Sequence, residues 1–96
     1  MIKISIIGQS AFGESVAEEI LKMNGTIISS IFSSSNPKDP LNQFGLENDL
    51  PVRNFKRLRD NEAIESFKSF DVDLLVMAYV TDIVPMEIIK SPRLGT

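Results

Sequence analysis

The chain has 96 residues and a net charge of −3, with 43% hydrophobic and 24% charged residues. That is sufficient for one hydrophobic core, and it argues against a two-domain chain, a disordered chain and the broad positive field on which nucleic-acid binding depends. Histidine and cysteine are both absent, which removes the commonest general base, a thiolate nucleophile, a disulfide framework and a thiolate metal site; a reducing cytoplasm fits this composition.

Ile2 to Ile7 is apolar and β-branched except at Lys3 and Ser5, and it stops at Gly8. This is the pattern of a strand buried on both faces. The run passes into Gly8-Gln9-Ser10 rather than a long apolar stretch and cleavage site, so it is not a signal peptide. From Ala11 to Met23, the residues Phe12, Val16, Ile20 and Met23 recur at helical spacing opposite Glu14, Glu18, Glu19 and Lys22. The spacing predicts a helix with those four residues inward, ended by Asn24-Gly25, which accept a left-handed cap. Thr26 to Phe32 predicts a second strand.

Ser33 to Leu50 is a long connection rich in turn residues, with a short helix predicted over Phe44 to Asp49. Leu50 to Asn54 follows as a short third strand, which Pro51 assigns to a sheet edge. Arg59 to Phe70 carries Ala63, Ile64, Phe67 and Phe70 at helical spacing, and Asp71 to Tyr79 repeats the buried-strand pattern. Thr81 to Pro85 is a loop; Pro85 opens a short helix that ends before Ser91-Pro92. Gly95-Thr96 reads as the entrance to another strand. The longest apolar run, Leu74 to Val80, is too short for the roughly 20 residues of a membrane-spanning helix.

This alternation predicts an α/β fold, a mostly parallel open sheet with right-handed crossovers and strand order 3-2-1-4, in a single domain spanning 1–96 that stops before its next strand. Strands one and four then lie side by side with their crossovers leaving in opposite directions, the switch point at which open α/β sheets bind ligands. The loops Gly8 to Gly13 and Ala78 to Pro85 face one crevice.

Gly8-Gln9-Ser10-Ala11-Phe12-Gly13 sits where a dinucleotide fingerprint would, but Ser10 replaces the middle glycine and Ser33-Ser34-Ser35 offers no acid for a ribose hydroxyl. NAD binding in the usual geometry is therefore disfavoured. Glu14 stands where a P-loop needs lysine. The loop reads equally well as a tight turn that packs helix on sheet. Tyr79-Val80-Thr81-Asp82-Ile83-Val84-Pro85 offers an aromatic face, a hydroxyl, a carboxylate and branched apolar groups, a set able to stack on and bond a flat heterocycle; an ordinary strand-ending turn is the competing reading. The cluster Arg53, Lys56, Arg57 and Arg59 reads as a solvated helix entrance or an anion contact.

Several strings resemble the folate-dependent formyltransferases: Ile4 to Gly13, Asp39-Pro40-Leu41, Gly45-Leu46-Glu47, Leu50-Pro51-Val52, and Val84 to Ile89 followed by Ser91-Pro92-Arg93-Leu94-Gly95. The likeness is to the hydrolase/formyltransferase domain at the start of 10-formyltetrahydrofolate dehydrogenase, with methionyl-tRNA formyltransferase more distant. It implies a Rossmann-like domain that binds 10-formyltetrahydrofolate and moves or hydrolyses its formyl group, without a metal.

The family's folate-contacting tripeptide falls on Asp82, Ile83 and Val84, with Tyr79, Gly8 and Gln9 completing the expected cofactor site. The dehydrogenase-like sequences carry an amide and an aromatic at the first two tripeptide positions, where this chain has a carboxylate and an aliphatic side chain. The family's catalytic asparagine or tyrosine, histidine and aspartate would begin on a strand after Thr96, so no catalytic residue is assigned within the chain and the isolated segment is expected to be inactive. The alternative is a non-catalytic folate- or nucleotide-binding module. The expected partners are a small-molecule folate, the remaining catalytic half, or a second copy joined through the open edge of strand four, in a cytoplasmic protein.

Overall fold

The computed structural model describes residues 1–96. Its elements are β1 (Ile2–Gly8), α1 (Ser10–Leu21), β2 (Thr26–Ser33), α2 (Pro40–Glu47), β3 (Val52–Asn54), α3 (Asn61–Ser69), β4 (Leu74–Ala78) and α4 (Met86–Ile89). The four strands form one parallel sheet in the order β3-β2-β1-β4. Both the α/β class and the predicted order are therefore present.

Alternation along each strand divides the core into two layers. Ile4 and Ile6 of β1 pack with Ala17, Ile20, Leu41 and Phe44 under α1 and α2, whereas Ile7 packs with Phe32, Phe67, Leu75 and Ile88 under α3 and α4. The second layer is aromatic: Phe32 stacks on Phe55 at 6.0 Å, and Phe67 and Phe70 lie 5.6 and 6.1 Å from the Phe32 ring. Serines inside the sheet satisfy one another: buried Ser30 Oγ donates to Ser5 Oγ at 2.8 Å. Where the β1–β2 register slips between Ile4 and Ser5, the Ser29 hydroxyl donates to the Ile4 carbonyl at 3.3 Å, occupying an acceptor beside the irregularity.

Two sequence expectations change. Phe12 and Met23 are not inward: they are 61% and 53% exposed, and α1 instead buries Gly13, Ala17 and Ile20. The small residues carry the contact because they let the helix approach closely; a Cβ on Gly13 would lie 3.1 Å from Leu41 Cδ2. A count of large apolar residues misses a face made of glycine and alanine. Helix α2 starts at Pro40 rather than Phe44, because Asp39 caps it by accepting from the Leu41 N–H and Pro40 stands at the first helical position.

The C-terminal segment is already engaged with β4. Leu94 N–H donates to the Asp73 carbonyl at 2.6 Å, and Leu75 N–H donates to the Gly95 carbonyl at 3.0 Å, along the side of β4 away from β1. The strand-like entrance expected at Gly95 is thus seated on the outer edge of β4. Asp73 ties the two ends of the domain together: its carboxylate accepts from Lys3 N–H at 2.9 Å and from Arg93 Nε at 3.3 Å. The Lys3 hydrogen bond, assisted by Arg93, holds the Asp73 carboxyl below the usual carboxylate range against a smaller opposing effect of desolvation.

Candidate functional site

The C-terminal ends of β1 and β4 meet so closely that a side chain on Gly8 would collide with the Ala78 carbonyl oxygen. Only glycine fits there. The two loops leaving these strands are then joined twice, by Gln9 N–H donating to the Ala78 carbonyl at 3.2 Å and Gln9 Nε2 donating to Thr81 Oγ1 at 3.2 Å. Ser10 and Tyr79, which follow directly, both have left-handed backbone, with φ of 68° and 59°. Such conformations are costly for non-glycine residues and gather where the surrounding structure fixes a loop. Here they turn the two loops away from the sheet and leave Tyr79 56% exposed at the rim.

Between these loops and the end of β2 lies a cleft of about 170 Å³, lined by Gly8, Gln9, Tyr79, Thr81 and Asp82 together with Ser33 to Ser35, Phe55 and Lys56. Pockets that enclose whole drug-sized ligands run from about 300 Å³ upward, so this cleft has room for a fragment such as one ring system. Its floor is apolar, from Ile7, Phe32 and Leu58, and its walls are mainly hydroxyls and amides with one ammonium and one carboxylate.

The Asp82 carboxylate is largely committed to the protein. It accepts from Leu58 N–H at 2.7 Å and from Ile83 N–H at 2.8 Å, clipping the loop after β4 to the loop before α3. Ile83, 65% exposed, points to solvent and Val84 packs against the aromatic layer; neither lines the cleft. Of the six expected site residues, Gly8, Gln9, Tyr79 and Asp82 come together, while Ile83 and Val84 form a separate apolar shoulder.

The basic cluster is dispersed. Arg53 lies over the Phe70 ring at 5.3 Å and Arg57 pairs with Asp60 at 3.9 Å, leaving Lys56 as the member that reaches the cleft. The predicted order already set β2 beside β3, but from sequence the serine run was read only for a missing ribose acid and Phe55 not at all, and neither was placed in the cleft that both line.

A second carboxylate closes the start of α1. Asp39, in the long connection after β2, accepts from Ser10 N–H with both oxygens at 3.0 Å, from Leu41 N–H at 3.0 Å and from the Ser33 hydroxyl at 3.4 Å. It therefore caps α2 and the first turn of α1 together. The chain brings together no group of three or more His, Cys, Asp or Glu side chains able to hold a metal, and no helix is long and apolar enough to cross a membrane.

The parallel sheet, its switch-point crevice and the loop pair above it define a Rossmann-like α/β unit. Solved structures with this fold include phosphoribosylglycinamide formyltransferase from Anaplasma phagocytophilum, with TM-score 0.72 and 20% identity over 93% of this chain and 44% of that one. No protein-family model matches. Among curated proteins, the cytosolic 10-formyltetrahydrofolate dehydrogenase of Xenopus tropicalis is 31% identical over 99% of this chain and 11% of its own length. The methionyl-tRNA formyltransferase of Clostridioides difficile is 28% identical over 98% of this chain and 33% of its own length. The resemblance to folate-dependent formyltransferases read from the sequence is thereby shown, and the chain spans only a minor part of the curated relatives it matches.

Proposed function

We propose that this chain is the first, cofactor-binding part of a domain that moves or hydrolyses the formyl group of 10-formyltetrahydrofolate in the cytoplasm. The observation that carries the reading is the joining of the β1–α1 turn at Gln9 and the β4–α4 loop at Thr81 over one cleft, in a chain whose relatives are named for 10-formyltetrahydrofolate or for formyl transfer. The cleft fits part of a folate: an apolar floor suits a flat ring, Tyr79 offers a face for stacking, and Gln9 and the Ser33–Ser35 hydroxyls offer donors and acceptors. Ile83 and Val84 supply apolar contact along the remainder. Asp82 serves this site by holding the loop in place rather than as a free ligand group.

Formyl transfer requires a proton shuttle and stabilisation of a tetrahedral oxyanion. Neither histidine nor cysteine occurs in the 96 residues; the proton-transfer groups then belong to polypeptide outside this segment, and the isolated chain is inactive. The same composition favours, as a second reading, a non-catalytic folate-binding module. Calorimetric titration with a stable 10-formyltetrahydrofolate analogue, beside NAD as a control, tests the binding claim common to both. Saturable binding weakened by Ile83→Asp is expected; NAD binding without folate binding would reject both. Formyl release by the isolated chain would reject its inactivity.

A further inference from the structure

We infer that Asp39 is a specificity-determining residue: its carboxylate occupies the anion-binding end of α1, so that the first loop rejects phosphate-bearing ligands. A helix that starts after a glycine-bearing turn at the end of a central strand normally presents free N–H groups and a positive dipole end to an anion. In this chain an internal anion is already there. Both oxygens of Asp39 accept from Ser10 N–H at 3.0 Å, and the side chain is held by the Leu41 N–H and Ser33 hydroxyl in a residue only 8% exposed.

The carboxylate cannot swing aside cheaply. Moving it would uncap α2, whose first turn depends on the Leu41 contact, and would leave Ser10 N–H without its acceptor. The next N–H groups in the turn, those of Ala11 and Phe12, follow Ser10 directly, so a phosphate approaching them enters the field of the same negative charge. Uncharged groups meet no such barrier. The turn from β1 into α1 is thus arranged to accept neutral ring or amide functions on the cleft side, through Gln9, and to exclude phosphate esters from the helix end.

The exclusion of phosphate rests on the Asp39 geometry alone. Its consequence for substrate choice rests on the formyltransferase reading: a phosphorylated formyl acceptor cannot be anchored at this loop. A protein acting on an acceptor such as phosphoribosylglycinamide, named for the fold neighbour, would have to hold the phosphate elsewhere.

The test is amide NMR of the 96-residue chain titrated with inorganic phosphate and, separately, ribose 5-phosphate to millimolar concentrations, following Ser10, Ala11 and Leu41. The wild-type signals are expected to show no saturable movement. Asp39→Asn keeps an acceptor oxygen for Ser10 and removes the charge, so saturable movement should emerge, with apparent affinity raised at least about tenfold by loss of like-charge repulsion. Saturable phosphate binding at Ser10 in the wild type overturns the inference, as does a folded Asp39→Asn chain that gains none. Asp39→Ser, whose hydroxyl can still cap α2, replaces the asparagine variant if that one does not fold, and the wild-type titration decides independently of both. No folate is used, so failure here is separable from failure of the proposed function.

Discussion

Leu58 N–H donates to the Asp82 carboxylate at 2.7 Å, across 24 residues of chain, and this bond fixes the loop after β4 against the loop that leads into α3. Leu58 itself is buried at 7% exposure, so loss of the acceptor leaves a partly buried donor unpaired. Asp82→Ala is expected to lower stability by about 1–2 kcal/mol and to speed hydrogen exchange at the Leu58 amide, as read by thermal unfolding and by NMR. Unchanged exchange at Leu58 would contradict the clip.

Asp73 gives a pH dependence of definite sign. Its carboxyl titrates below its ordinary value of 3.8 in the folded chain, so its stabilising contribution is complete above that value and is lost as pH falls through the lower, folded pKa. The difference in unfolding midpoint between the wild type and Asp73→Asn should be constant near neutrality and shrink under acid. A difference that grows on acidification would reverse the assignment.

Gly8 is required by contact rather than by backbone conformation. A Cβ there would strike the Ala78 carbonyl, which is backbone and cannot rotate away. Gly8→Ala is expected to cost about 1–3 kcal/mol by overpacking and to displace the Ala78–Tyr79 turn, weakening folate binding beyond what the loss of stability explains. Denaturant unfolding together with calorimetry checks both effects.

The outer edge of β4 is only partly covered. Leu94 and Gly95 engage Asp73 and Leu75, and by strand alternation the next outward backbone donor is the Met77 N–H, in a residue 45% exposed. Concentration-dependent self-association of the isolated chain through this edge is the expected result in sedimentation velocity. Met77→Pro removes the outward donor without removing a β1–β4 hydrogen bond, and should restore the monomer. A wild-type chain that stays monomeric at high concentration contradicts this.

The sheet order was legible because β-branched runs and turn residues mark each strand, and the crossover rules leave few arrangements. The inward face of α1 was not, since Gly13 and Ala17 make contact by being small and leave no apolar signal. At the site, Gly8, Gln9, Tyr79 and Asp82 could be placed from their position after adjacent strands. The roles of Asp39 and Asp82 could not: each is defined by hydrogen bonds spanning 29 and 24 residues, which no local spacing encodes. A carboxylate in a loop looks the same in sequence whether it waits for a ligand or already holds the backbone.

If the joined loops form a folate-binding cleft, amide NMR of the 96-residue chain titrated with a stable 10-formyltetrahydrofolate analogue will locate it. Saturable shifts are expected, centred on Gln9, Ser33 to Ser35 and Tyr79 to Val84, with the outer faces of α1 and α3 unmoved. Saturable shifts confined to any other surface, or none in a chain whose spectrum is that of a folded protein, would contradict it.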